Sequence, residues 1–372
     1  MQYRQYGRGG PRVSRLGFGA MRLPVRRKDN WGTVNLPRAA AVIRRALSQG
    51  VNFLDTHHNY HAGMSEQAIG KALAGWKGGP VTIQTKTPMY RPEKMAFFKG
   101  LVEQALEKLG VECIDYLLFH SMEMGSFKKR GKMFFRLTDW AMKRGYIRRR
   151  GCSTHYTPEN VKAFIDTGEF SAILMSYNWL NPKMAETLAY AADKGLGVSV
   201  MNPIGGGHLA ADTKAITRLL PGAKASAEVG LRYVLGTPGV AVVLSGMTTP
   251  KHVDENVRTA SRKTPMTPRQ WEIMNRRLEV LRAKAEVVCT ACGYCMPCPA
   301  GVNIPENLVL LSRAKLFGLT AYARAMYNRL AKRRDGDASA AACKRCGACL
   351  PKCPNDVAII DRLAETAGIL GK

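Results

Sequence analysis

From residue 16 to about residue 260, short apolar and β-branched runs alternate with amphipathic stretches. The runs at 16–21, 51–55, 81–86, 114–119, 147–152, 172–176, 197–201 and 240–244 read as strands. Between them, 37–49, 65–74, 91–109, 158–166, 182–194, 225–235 and 249–260 read as helices, several opening on the Ser, Thr or Pro that suits a helix start. The helix expected after the fourth strand has the weakest pattern. Strands that alternate with helices pair in parallel through right-handed crossovers, and eight such units in about 250 residues predict an α/β fold, a closed (β/α)8 TIM barrel. An open doubly wound sheet is the competing architecture, but no G-x-G-x-x-G follows the first strand.

Beyond the barrel pattern, 265–288 reads as one charged helix, and after it the composition changes. The expected organisation is therefore a barrel at 1–264, a connecting helix at 265–288 and a cysteine-rich region at 289–372. The 372 residues, 46% of them apolar, are enough to bury a large core. No uncharged apolar run reaches the ~18 residues of a membrane-spanning helix. Gly, Arg and Pro interrupt the N-terminus before any secretory signal develops, so a cytoplasmic location is expected. Fifty-six Lys and Arg against 28 Asp and Glu leave a formal charge of +28, which favours acidic partners.

Of ten cysteines, Cys113 and Cys152 stand alone and read as buried apolar side chains; the rest lie between Cys289 and Cys353. Cys343, Cys346, Cys349 and Cys353, followed by Pro354, match the C-x2-C-x2-C-x3-C-P run of ferredoxins. Cys289, Cys292, Cys295 and Cys298, followed by Pro299, differ only in having two residues before the fourth cysteine. Neighbours this close disfavour disulfides. Zinc knuckles compete, but zinc sites usually use two well-separated C-x2-C pairs. Two [4Fe-4S] clusters are the expectation. In two-cluster ferredoxins the fourth cysteine serves the other cluster, which groups Cys289, Cys292, Cys295 and Cys353 on one centre and Cys343, Cys346, Cys349 and Cys298 on the other. Helical stretches at 305–316 and 320–332 separate the loops, so the tail resembles an α-helical ferredoxin domain.

Three strand ends are polar: Asp55 with Tyr60 in the following loop, Lys86, and His120. In barrel enzymes the chemistry sits where strands end. Asp, Tyr, Lys and His in this order, with the five-residue step from Asp55 to Tyr60 and the helix entry at Ser65–Glu66, resemble the tetrad of the aldo-keto reductase family. With the cysteine tail, the chain is similar to the family's iron–sulfur branch. The resemblance implies an oxidoreductase that reduces a carbonyl compound or oxidises an alcohol with Tyr60 as acid–base group. A free tyrosine, with a pKa of about 10, is a poor neutral-pH acid; a lysine cation stabilises its phenolate, and a carboxylate holds the lysine charged. Lys86 and Asp55 take those roles, and His120 orients the carbonyl. His57, His58 and His61 crowd the same loop; they read as substrate-contacting or supporting groups rather than metal ligands, since no carboxylates accompany them.

The same resemblance assigns NAD(P)H to the loops at 202–209 and 245–257, with Ser153, Met201, Pro203, Gly205, Gly246, Thr248, Thr249, His252, Glu255 and Asn256 as its contacts. Thr248 and Thr249 open a helix whose N-terminus favours phosphate. Gly246 and His252 replace the family's Lys and Arg, Met201 its nicotinamide-stacking Tyr, Thr154 its Asn and Leu174 its Gln, so nucleotide preference stays open. Hydride carries an electron pair whereas a cluster passes single electrons, so exchange between them needs a flavin or a substrate radical. A flavin in the barrel, clusters that feed the substrate without nicotinamide, and purely structural clusters remain alternatives. A partner that exchanges electrons with the clusters would be an acidic ferredoxin or flavodoxin, drawn to basic residues at 332–334 and 344–345. A redox sensor or nucleic-acid binder on a retired barrel is the other class. The basic runs at 128–132, 143–150 and 332–334 favour it, but they lack aromatic stacking platforms, and a complete tetrad points to catalysis.

Overall fold

The structure is a computed structural model describing residues 1–26, 33–89, 91, 93–179, 181–210, 213–284, 289, 291–317, 320–333 and 335–371. Arg334 and residues 285–288 of the expected connecting helix lie outside the described residues. The chain divides into two compact units. The first comprises Met1–Tyr177, Pro182–Pro203 and Leu231–Pro265; the second comprises Asn178–Asn181, Ile204–Gly230 and Met266–Lys372.

In the first unit eight parallel strands close into a barrel: β1 (Leu16–Gly19), β2 (Phe53–Asp55), β3 (Thr82–Thr87), β4 (Ile114–Phe119), β5 (Ile147–Thr154), β6 (Ala172–Ser176), β7 (Gly197–Met201) and β8 (Val242–Ser245). Strand β8 pairs with β1 to complete the ring. The barrel is the expected fold, and β4, β6 and β7 fall on the expected residues. The indistinct helix after β4 is Met124–Lys143, the longest of its unit at 20 residues. Its buried Gly131, Phe134, Leu137, Thr138 and Ala141 make a helical stripe, which two glycines and a first turn without acids obscure in the sequence. Helix Met95–Leu109 begins four residues later than expected, after a Lys94 that makes no side-chain cap.

Register decides what points inward. Asp55 pairs with Gln84, Gln84 with Tyr116, and Lys86 with Leu118, and paired residues of neighbouring strands share a face. Gln84 and Lys86, two apart, therefore project together into the barrel. Below them Tyr6, Phe53, Tyr116, Leu118, Leu174, Val242 and Leu244 form an apolar plug. Tyr6 follows an N-terminal strand, Tyr3–Gln5, which pairs antiparallel with Arg12–Ser14, an element without a sequence expectation. Its ring fills the space beside Gly197, where a Cβ would come within 2.7 Å of the ring. Cys152 is fully buried as expected, but Cys113, just before β4 begins, is only half-buried.

The second unit is helical in its tail: Pro268–Lys284, Ile304–Phe317, Thr320–Ala331 and a terminal Ile359–Leu370. The last had no expectation; its start, Ala358, makes no side-chain cap, although Ile359, Leu363, Thr366 and Leu370 are buried along one stripe. Cys295, Val302, Leu308, Leu310, Tyr327 and Leu363 share a core on which five further cluster-loop cysteines pack. Asn307, fully buried, ties this core to the second cysteine loop: its amide donates to Ala338 O at 2.9 Å, and its carbonyl accepts from Ala340 N at 2.8 Å. No helix among the described residues is long and apolar enough to cross a membrane.

Candidate active site and cluster loops

The mouth of the barrel holds a buried ion pair. Lys86 Nζ donates to Asp55 Oδ1 at 2.7 Å, to Asp55 Oδ2 at 2.8 Å and to Thr56 O at 2.6 Å. Burial pushes the Lys86 ammonium down, and Asp55 pulls it back up. The carboxylate has a second donor that sequence reasoning missed: Gln84 Nε2 donates to Asp55 Oδ1 at 2.8 Å, and the Tyr6 hydroxyl donates to Gln84 Oε1 at 3.1 Å. The signal available was register, since Gln84 and Lys86 share the inner face.

Lys86 Nζ stands 5.1 Å from the centroid of the Tyr60 ring. Tyr60 opens a turn, Tyr60–Gly63, with three successive left-handed residues: His61 at φ 52°, Ala62 at φ 54° and Gly63 at φ 88°. Two of them carry a Cβ, at a cost of about 1–2 kcal/mol each. His61, buried, offsets part of this by bonding Met21 O through Nε2 at 3.2 Å. His120 follows β4, two residues beyond inward-facing Leu118, and its N–H donates to Thr87 O at 3.0 Å. Its ring lies on that of His57, with centroids 4.1 Å apart. Burial drives both imidazoles well below their usual pKa, with Lys86 adding to it, so both are neutral near pH 7. His57 Nδ1 accepts from Asn59 N at 3.3 Å, so its proton sits on Nε2 and is donated to His58 Nδ1 at 2.9 Å. Burial lowers His58 to about 4, with Arg91 and Lys108 adding to it.

The strand-one loop adds a residue without a sequence expectation. Arg22 lays its stem against Gly246, where a Cβ would come within 2.8 Å of Arg22 Cβ. Burial lowers its guanidinium, and Tyr60 opposes that shift.

The other expected cofactor contacts are dispersed. Ser153 Oγ accepts from Ser121 N at 3.0 Å. Met201 ends β7, with Pro203 two residues on. Thr249 caps helix Pro250–Ala260 by accepting from His252 N at 3.2 Å, and Thr248 Oγ1 lies 3.2 Å from His252 Nδ1. Asn256 is buried and donates to Ser245 Oγ at 3.0 Å, while Glu255 faces Lys251 at 3.7 Å. Gly205 belongs to the second unit.

In the second unit the two cysteine loops repeat one backbone path. Ala291 and Arg345 are left-handed at φ 54° and 53°, and Gly293 and Gly347 follow at φ 85° and 77°. Such turns aim successive N–H groups inward as an anion-binding nest of the kind found at iron–sulfur sites. Ala291 N donates to Cys289 Sγ at 3.3 Å. Cys289, Cys292, Cys295 and Cys353 line one cavity with Leu308, Val357 and Ile359. Burial pushes the thiols of Cys289 and Cys295 up to about 12, and Cys292 and Cys353 add to it. Cys349 is likewise raised by burial first, with Cys343, Cys298 and Cys346 around it. Among the described residues no three His, Cys, Asp or Glu side chains gather tightly enough for one metal ion, at the His57–His58 turn or here. Zinc draws its sulfurs to about 2.3 Å from a single point. Four thiols lining one cavity, beside the left-handed turns of both loops, suit a multi-iron cluster, whose positive irons would offset the cost of ionising buried sulfur.

Comparison with known proteins agrees with both halves. The profile described as the aldo/keto reductase family matches residues 15–279, and that of the 4Fe-4S dicluster domain matches 288–359. The chain is 25% identical to L-galactose dehydrogenase of Arabidopsis thaliana over 285 residues, covering 69% of this chain and 87% of that protein. It is 23% identical to the NADH-specific methylglyoxal reductase of Escherichia coli K12 over 295 residues, covering 66% and 89%. Among solved structures, an aldo-keto reductase from Bacillus halodurans in its holo form superposes with a TM-score of 0.64 at 24% identity, over 74% of this chain and 96% of that one.

Proposed function

The chain belongs to the aldo/keto reductase family and carries a C-terminal 4Fe-4S dicluster domain, and from that premise we propose that it reduces a carbonyl compound, or oxidises the matching alcohol, with Tyr60 moving the proton. One observation carries the reading: the Lys86 ammonium, fixed by Asp55 and Thr56, stands over the Tyr60 ring at the barrel mouth. As negative charge builds on the substrate oxygen, the Tyr60 hydroxyl donates its proton there, and Lys86 stabilises the phenolate left behind. Asp55 keeps Lys86 charged against burial, and Gln84 keeps Asp55 facing it. His120, neutral and braced by His57, offers a ring N–H to the same oxygen without adding charge.

The family's usual NAD(P)H supplies the hydride when bound. Ser153, Met201 and Pro203, with Gly246, Thr248, Thr249, His252, Glu255 and Asn256, would hold it. A flavin is the alternative occupant. Cys289, Cys292, Cys295 and Cys353 would hold one [4Fe-4S] cluster, and Cys343, Cys346, Cys349 and Cys298 the other, in keeping with the neighbours of Cys289 and Cys349; such clusters would supply single-electron transfer. An acidic ferredoxin or flavodoxin is the partner that suits them. The basic run at 143–150 is partly neutralised, with Arg150 paired to Asp139 and Glu169 at 2.6 Å each, which weakens the case for nucleic acid.

Tyr60→Phe tests the assignment. Loss of a positioned acid should lower turnover ~10²–10⁴-fold with cofactor binding preserved. Near-normal carbonyl reduction by this variant would move the chemistry elsewhere in the barrel.

A further inference from the structure

A buried path of side chains leads from the N-terminal hairpin to the catalytic ion pair. Tyr6 enters where β7 begins, its ring beside Gly197, whereas Asp55 and Lys86 stand where β2 and β3 end. The backbone of Tyr6 is held in a tight loop. Tyr6 N donates to Pro11 O at 2.9 Å, and Gly10 passes so close that a Cβ there would overlap Tyr6 O. Phe53 and Tyr116 grip the ring edge-on, with centroids 4.9 and 5.0 Å away. The hydroxyl reaches Gln84 Oε1 at 3.1 Å and Ser199 Oγ at 3.0 Å.

The order of donors along this path is forced. An ionised carboxylate only accepts, so Gln84 must turn its NH2 toward Asp55 and its carbonyl toward Tyr6. That carbonyl needs a donor, and among the described residues the Tyr6 hydroxyl is the one that reaches it. Ser199 leaves that proton free, because its own hydroxyl can turn to Tyr6 or to Ile173 O, 3.3 Å away. Burial drives the Tyr6 phenol well above its usual pKa, so it stays a donor at any working pH. An amide turned the other way would set a carbonyl oxygen against the carboxylate and forfeit both bonds.

We propose that Tyr6 is a positioning residue for the catalytic ion pair: its hydroxyl fixes the orientation of the Gln84 amide, and the amide holds Asp55 where Lys86 can face Tyr60. The proposal rests on Tyr60 and Lys86 doing the chemistry. Lys86 gives its donors to both oxygens of Asp55 and to Thr56 O, so the direction of the carboxylate decides where the ammonium stands. Asp55 Oδ1 accepts from Lys86 and Gln84 together, which makes the amide the outer brace of the pair. Tyr6 and Gln84 are both buried, so they act on turnover through Asp55 and offer substrate no surface of their own.

The experiment reads amide and turnover separately in the holoprotein. With 15N-labelled glutamine, the Gln84 side-chain resonances are those missing in Gln84→Leu. The N–H bonded to Asp55 should lie downfield and exchange slowly with water. Tyr6→Phe, which keeps the ring and its packing, should move that resonance upfield and speed its exchange. Reduction of 4-nitrobenzaldehyde by NADPH should lose about tenfold in kcat with KM unchanged, because a displaced cation is missed in the transition state. The same Tyr6→Phe change made in Gln84→Leu should cost nothing further, since the path is already cut. An unmoved Gln84 resonance in Tyr6→Phe overturns the proposal. So does an equal kcat loss in the Gln84→Leu background, or a shifted resonance with kcat intact. If resonance and kcat both respond but Tyr60→Phe keeps near-normal reduction, the brace stands and the acid assignment falls. If Tyr60→Phe is inactive and the Gln84 resonance stays in place, the reverse holds.

Discussion

The barrel mouth and the cysteine tail solve opposite charge problems. At the mouth, Asp55, Gln84, Lys86 and His120 arrive from three strands, and the buried cation already has its anion at 2.7 Å. In the tail, eight thiols arrive on two short loops, and burial holds several of them protonated until positive irons are supplied. One site is complete in the protein alone. The other gathers ligands around charge it does not contain, on a core of short helices. The difference predicts that cofactor loss should be nearly silent in one region and severe in the other.

Iron removal should produce the largest effect. Anaerobic chelation is expected to open the tail to proteolysis beyond Lys284, since metal binding and folding are coupled in small metal domains. The barrel should keep its thermal transition. Single loss of both regions in one transition would break the contrast. Cys349→Ser and Cys289→Ser sharpen it: each should lower iron from about eight to about four per chain, with different electron paramagnetic resonance signals surviving.

Within the barrel, the compensated charge can be exposed by deletion. Lys86→Met strands Asp55 in a buried site and should cost about 3–5 kcal/mol, measurable by denaturant unfolding. Gln84→Leu removes one hydrogen bond to the same carboxylate and should cost less, about 1.5–3 kcal/mol. Asp55→Asn combined with Lys86→Met should recover much of the first loss. If the double variant is no more stable than Lys86→Met, the pair is not an electrostatic unit.

This contrast also explains which features were legible in the sequence. Asp55, Lys86 and His120 could be read because strands alternate their faces and barrel chemistry sits at strand ends, and the cysteines because their spacing is local. Gln84, one of several polar residues in β3, carries no marker of the carboxylate it holds, for that contact exists only through the register of β2 and β3. Arg22 and Gly246 meet because the barrel closes, across a separation no local pattern encodes. Asn256 and Glu255 stand out in the sequence only through the family resemblance, which says nothing of the contacts they make with Ser245 and Lys251.

The smallest expected effect concerns the surface of the second cysteine loop, where the tail itself is uneven. Cys295 is buried and Cys346 exposed, so electrons entering from a partner would reach the Cys346 side first. The basic residues there are not alike. Arg333 is clamped by Asp335 at 2.8 and 2.9 Å, and Arg345 stands 3.8 Å from Asp361. Lys344 and Lys352 are exposed on the same loop as exposed Leu350, which makes them the better test of docking by an acidic single-electron carrier. Lys344→Glu with Lys352→Glu should slow cluster reduction by such a protein several-fold at low salt, because rim charges act on association rate. The difference should shrink as ionic strength rises and the Debye length falls from about 30 to about 8 Å. A neutral chemical reductant should not distinguish the variant from the parent. Equal slowing with both donors would place the effect in the cluster rather than at a docking surface, and an absence of salt dependence would remove the electrostatic partner altogether.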